Sequence, residues 1–184
     1  MSIVQQMIRV LQNQHTRTIS FSFIGSTGQT ITVNQESFRR IIRALQHDQF
    51  QISTNISPGM AAYNKDSTVP GKHGTFRVNP NGGAPESFDS LVVHESVHAS
   101  FDLTSSVLPF VDNEVAAHLA QAKYYIEINR TFFPEYRPLQ SAIMILGNLP
   151  AGTIPSASLN GLRNDIRAIG VYQSYINTTF NGNG

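Results

Sequence analysis

Residues 91–103 read LVVHESVHASFDL, four ionisable side chains set into an otherwise apolar segment. Imidazoles and carboxylates in apolar surroundings are costly unless paired or bound to a metal, so the segment holds either a satisfied polar network or an ion. On a helix, His94 and His98 lie roughly 40° apart and about 6 Å along the axis, which lets both rings reach one ion. Glu95 sits roughly 60° round from His98 on the same side, where its carboxylate can approach a water on that ion without ligating it. That is the geometry of a general base. Asp102, one turn past His98, can accept the outer N–H of an imidazole and fix its tautomer. Val92, Val93, Val97 and Phe101 fill the other faces. A helix apolar on most sides is buried, so its polar stripe faces an internal cleft.

The chain has no cysteine, which excludes disulfides and thiolate chemistry and leaves His, Asp and Glu as metal ligands. A catalytic zinc takes three protein ligands and keeps a fourth position open. The next helical segment, PFVDNEVAAHLAQAKYY at 109–125, supplies a third ligand in Glu114. A tight turn between antiparallel helices brings its first turn against the two histidines. Glu114 has an ordinary reading as well, an acid favoured by the dipole of a first helical turn. His118 lies one turn further on the same face, as an alternative third ligand or as a partner that supports the ligands. Asp112 is either a ligand or the N-cap of a helix that begins near Asn113.

HESVH followed by NEVAAH resembles the gluzincin group of zinc metallopeptidases, which carry His-Glu-x-x-His on one helix and an Asn-Glu or similar pair on the next. The resemblance covers residues 91–118. It implies zinc held by His94, His98 and Glu114, a water activated by Glu95, and a zincin-like domain in which a small sheet precedes the motif helix. Larger gluzincins often carry an Asp four residues after the third ligand; His118 stands there, and Asp102 is the residue placed to take over its role. The group also uses a Tyr, His or Arg to stabilise the tetrahedral oxyanion. Tyr63 and His73, just before the motif helix, are the candidates, because Tyr125 is about 16 Å from Glu114 along the helix axis.

Positioning these groups falls to 184 residues with 40% hydrophobic content, enough for one compact domain with a sizeable core. Helical spacing of Ile3, Met7, Val10 and Leu11 opens the chain, and alternation over 17–33 around STGQ predicts a β-hairpin. Asn34 caps a helix with Phe38, Ile41, Ile42 and Leu45 on one face. FQIST and GTFRVN are two further strands, separated by a Gly/Pro-rich stretch; residues 57–83 are long enough to form a lid over the site. Helical patterns follow at 86–103, 109–130, 138–148 and 157–176. Strands early and helices late give an α+β domain over residues 1–176, a small N-terminal mixed or antiparallel sheet packed on a mainly helical C-terminal half. The tail, 177–184, is expected to be disordered.

Thirteen basic and twelve acidic residues give a formal charge of +1, scattered rather than blocked, so no footprint for nucleic acid appears. Arg39, Arg40 and Arg43 form the solvated face of a helix. No segment has the length of a membrane span or the pattern of a Sec signal. The chain is therefore expected to be soluble, and either cytoplasmic or exported by a leaderless route as an effector. The function expected first is a zinc-dependent peptidase acting on a protein or peptide. A zinc hydrolase acting on a non-peptide amide uses the same residues. The alternative from another class is a non-catalytic binding protein with a structural metal or a polar core, although a closed structural site has no use for an uncoordinated Glu between its histidines.

Overall fold

Ser2 and Gln5 close a capping box on α1 (Ile3–Gln12), whose Met7, Val10 and Leu11 are buried, and Asn13 caps the short α2 (Gln14–Arg17). The expected hairpin follows as β1 (Phe21–Ile24) and β2 (Thr30–Val33), paired antiparallel with Phe21 opposite Val33. It starts later than residue 17 because 14–17 are helical. Its turn places Gly28 at φ 86°, a left-handed backbone that only glycine adopts cheaply. Asn34 accepts from the N–H groups of Glu36 and Ser37 to start α3 (Gln35–Gln46). Phe38, Ile41 and Leu45 face the core, while Arg39, Arg40 and Arg43 stand in solvent around Glu36. The computed structural model describes residues 1–81, 84–128, 136–149 and 152–183.

A second sheet consists of β3 (Gln51–Ser53), β4 (Ala61–Asn64) and β5 (Thr75–Val78). β5 lies in the middle, parallel to β3 and antiparallel to β4. The stretch expected as a connection and lid therefore contributes an edge strand. AAYN carries little β propensity of its own; its pairing with β5 and the 4.8 Å approach of the Tyr63 and Phe76 rings hold it in the sheet. β4 packs beside α4 (Pro85–Leu103), the helix that carries the His-Glu-x-x-His motif. Pro85 opens that helix at a position where its missing N–H costs nothing.

The chain then runs through β6 (Val107–Pro109) into α5 (Phe110–Glu127), α6 (Arg137–Asn148), β7 (Gly152–Ile154) and α7 (Asn160–Arg167). Residues 129–130, which end the helical pattern expected over 109–130, lie outside the described residues. β7 joins β1 in parallel, so the first sheet is ordered β2-β1-β7. The helix expected over 157–176 ends at Arg167, because Ile169 adopts an extended backbone before a 3-10 turn at Gly170–Tyr172. Within the tail expected to be disordered, Thr179–Asn181 instead form β8, antiparallel to β6, while residue 184 lies outside the described residues. The fold is mixed α/β with small sheets, but helices and strands are not segregated along the chain. α1 and α3 belong to the first half, and β7 and β8 come from the second. Both late strands are three residues long and pair with partners far away in sequence, so no local alternation marks them. Among the described residues no helix is long and apolar enough to cross a membrane.

Candidate metal centre

α4 and α5 pack against each other, and their facing stripes meet at four buried side chains: His94, His98, Glu114 and His118. The Nε2 atoms of His94 and His98 are 3.2 Å apart. Glu114 places Oε1 3.5 Å from the His98 Nε2 and Oε2 3.7 Å from the His94 Nε2. Ligands bound at about 2.0–2.1 Å in a tetrahedron stand about 3.3 Å from one another, so the two imidazoles and the Glu114 carboxylate, through one oxygen to each ring, come close to the spacing such a site needs. Glu114 Oε2 is also 3.7 Å from the His118 Nε2. His94, Glu114 and His118 offer ligand atoms that all lie within 4.8 Å of one another, so this buried group can hold a metal ion.

The hydrogen bonds behind the rings set their tautomers. Ser90 donates its hydroxyl to the Ser87 carbonyl, and Gln121 donates through Nε2 to the Ser90 Oγ at 3.3 Å. The Gln121 carbonyl oxygen is thereby turned to His94 Nδ1, at 3.2 Å, which must donate. His98 Nδ1 lies 3.0 Å from the Asn113 Oδ1, which accepts from it in the tautomer that leaves Nε2 unprotonated. Both Nε2 atoms then point lone pairs at each other with no proton between them. Burial, then the neighbouring His118 and His98, holds His94 well below the usual imidazole range, so an extra proton is disfavoured. Burial also holds His118 down at about 3, and neither of its ring nitrogens has a hydrogen-bond partner among the described residues. Facing ring nitrogens and a buried imidazole beside a carboxylate fit a bound cation.

Glu95 lies beside this group in a cleft of about 260 Å³ that it shares with His94, His98, Asn113, Glu114 and Tyr172. It is half-buried, and its Oε2 accepts the Tyr63 backbone N–H at 2.7 Å. Desolvation pushes its carboxyl up to about 7; His98 and the Tyr63 N–H oppose the rise, and Glu114 adds to it. A carboxyl balanced near neutrality and fixed by a backbone donor can take up and release a proton.

Several expected roles are corrected. Asp102 touches no imidazole: one carboxylate oxygen accepts the Tyr63 hydroxyl and the other the Asn183 N–H. The tautomer-fixing role falls to Asn113 and Gln121. Asp112 is neither ligand nor N-cap, since α5 begins at Phe110. It faces away into a buried pair with Arg163 at 3.0 Å and accepts from the Ser26 N–H and hydroxyl. Tyr63 lines the cleft, but its hydroxyl is committed to Asp102. His73 is not among the lining residues and packs edge-on against Phe50. Tyr172, unforeseen from sequence, lines the cleft and donates its hydroxyl to Glu114 Oε2 at 3.2 Å. Its contact spans 58 residues, and no spacing rule reaches that far. Gln121 did carry a signal, because it falls on the helical stripe of Glu114 and His118.

Comparison of the chain with family models, curated proteins and solved structures finds no match. The chemistry of the site therefore rests on its own geometry.

Proposed function

We propose that the protein is a zinc-dependent peptidase of gluzincin type, with His94, His98 and Glu114 as the metal ligands and Glu95 as general base. The observation that carries this reading is the close approach of His94 Nε2, His98 Nε2 and the Glu114 carboxylate beside a second carboxylate, Glu95, that lines the same cleft. Zinc, when bound, supplies Lewis-acid polarisation and lowers the pKa of water. The chain supplies the rest. Asn113 and Gln121 hold the rings with Nε2 unprotonated, and Tyr172 holds one oxygen of Glu114. Glu95, steadied by the Tyr63 N–H, takes a proton from the attacking water at its carboxylate and passes it to the leaving amine. β4 is an edge strand, and Ala62 and Tyr63 line the cleft, so an extended peptide can add along it.

His118 favours a second reading. If its unpartnered ring completes a set of four protein ligands, the site is closed and structural, and the chain is a binding protein. Metal removal separates the two. In the peptidase, a chelator abolishes cleavage of a general peptide library, and added zinc restores it together with a rise in Tm. In the structural reading zinc raises Tm and no cleavage appears at any metal content. Undiminished cleavage by metal-free protein rejects the proposal.

A further inference from the structure

The segment after β8 lies against the motif helix more closely than a three-residue strand requires. β8 sets Phe180 opposite Leu108, and Phe180 enters the wall of the cleft that holds His94, Glu95, His98 and Glu114. Gly182 then donates its N–H to the Ser106 carbonyl at 2.9 Å. A Cβ added to Gly182 would stand 2.7 Å from the Phe101 carbonyl oxygen and 2.8 Å from that of Asp102. Those are backbone atoms at the end of α4 and cannot swing aside, so the approach requires glycine. Asn183 follows, donating its N–H to Asp102 Oδ1 at 2.8 Å and its side-chain amide to the Lys65 carbonyl at 3.2 Å. The other oxygen of Asp102 accepts the Tyr63 hydroxyl, and the Tyr63 N–H holds Glu95. One fully buried carboxylate thus ties together the helix end, the edge strand β4 and residues 180–183.

We infer that residues 180–183 are latched through Asp102 to form the selecting wall of the cleft, and that this wall takes an apolar side chain of the substrate next to the bond being cleaved. The identity of that substrate rests on the peptidase reading; the latch does not. Phe110 and Tyr172 line the same cleft with rings 5.1 Å apart and edge-on, so with Phe180 they present an aromatic surface to the entering chain. Such a surface gains most from covering an apolar group. Asp102 is a positioning residue here, acting through Tyr63 and Asn183.

Two substitutions in the full chain test the two parts. Gly182→Ala pushes the segment off α4, so amide exchange at Ala61–Asn64 and at 180–183 becomes about tenfold faster or more, with zinc stoichiometry unchanged. Unchanged exchange at both places overturns the latch. Phe180→Ala leaves the latch contacts and removes the wall. Its kcat/KM for library peptides with Phe or Leu at the selected position falls by about tenfold or more relative to those with Ala. An unchanged preference overturns the selecting role. A wild-type protein that cleaves no peptide overturns the peptidase reading and the selectivity with it, while the exchange measurement still decides the latch.

Discussion

Exchange of Glu95 for Gln lowers peptide hydrolysis by about 10²–10⁴-fold and leaves bound zinc in place, measured as kcat/KM on a cleaved library peptide alongside metal content. Gln is close to isosteric, and its carbonyl oxygen still accepts the Tyr63 N–H that Glu95 Oε2 accepts at 2.7 Å. The edge strand and the cleft wall therefore keep their places. What disappears is a carboxylate poised near neutrality, where proton uptake and release are both accessible. Because the loss falls on the chemical step, kcat carries it and KM changes little. Full activity in this variant rejects Glu95 as the base. Loss of zinc together with activity shows instead that Glu95 is a ligand.

Glu114→Ala and His118→Ala, compared for zinc affinity, decide which of the two side chains joins His94 and His98 as the third ligand. Removing Glu114 leaves two imidazoles and deprives the Tyr172 hydroxyl of its acceptor. The loss of affinity exceeds the about 10–100-fold typical when an outer partner of a ligand is removed. Removing His118 costs no more than that range, because His98 stays 3.2 Å from His94 and 3.5 Å from Glu114. The reverse order of effects makes His118 the third ligand and withdraws the proposed set.

How far the site was legible in the sequence depends on the distance over which each relation acts. His94, Glu95 and His98 share one helix, so fixed helical geometry placed them, and Glu114 followed because only residues 104–109, a turn and the short β6, separate α4 from α5. Asp102 shows the limit. Its angular position on α4 is as expected, yet helical spacing cannot say which donors arrive at it, and these come from β4 and from beyond β8. Asp112 was misjudged for the same reason, since its partners Arg163 and Ser26 lie 51 and 86 residues away. In the fold, α1, α3 and the hairpin followed from capping and periodicity. β7 and β8 are stabilised by pairing with distant strands and β4 by pairing with β5, and their own three or four residues carry no pattern that distinguishes them from loop.

The crystal structure of the zinc-loaded protein tests the metal-centred reading most directly. It predicts one zinc bound by His94 Nε2, His98 Nε2 and Glu114, with bonds of about 2.0–2.2 Å, Glu95 outside the coordination sphere and a fourth position left to solvent. Zinc enclosed by His118 together with the other three side chains, or a protein that takes up no zinc at all, contradicts it.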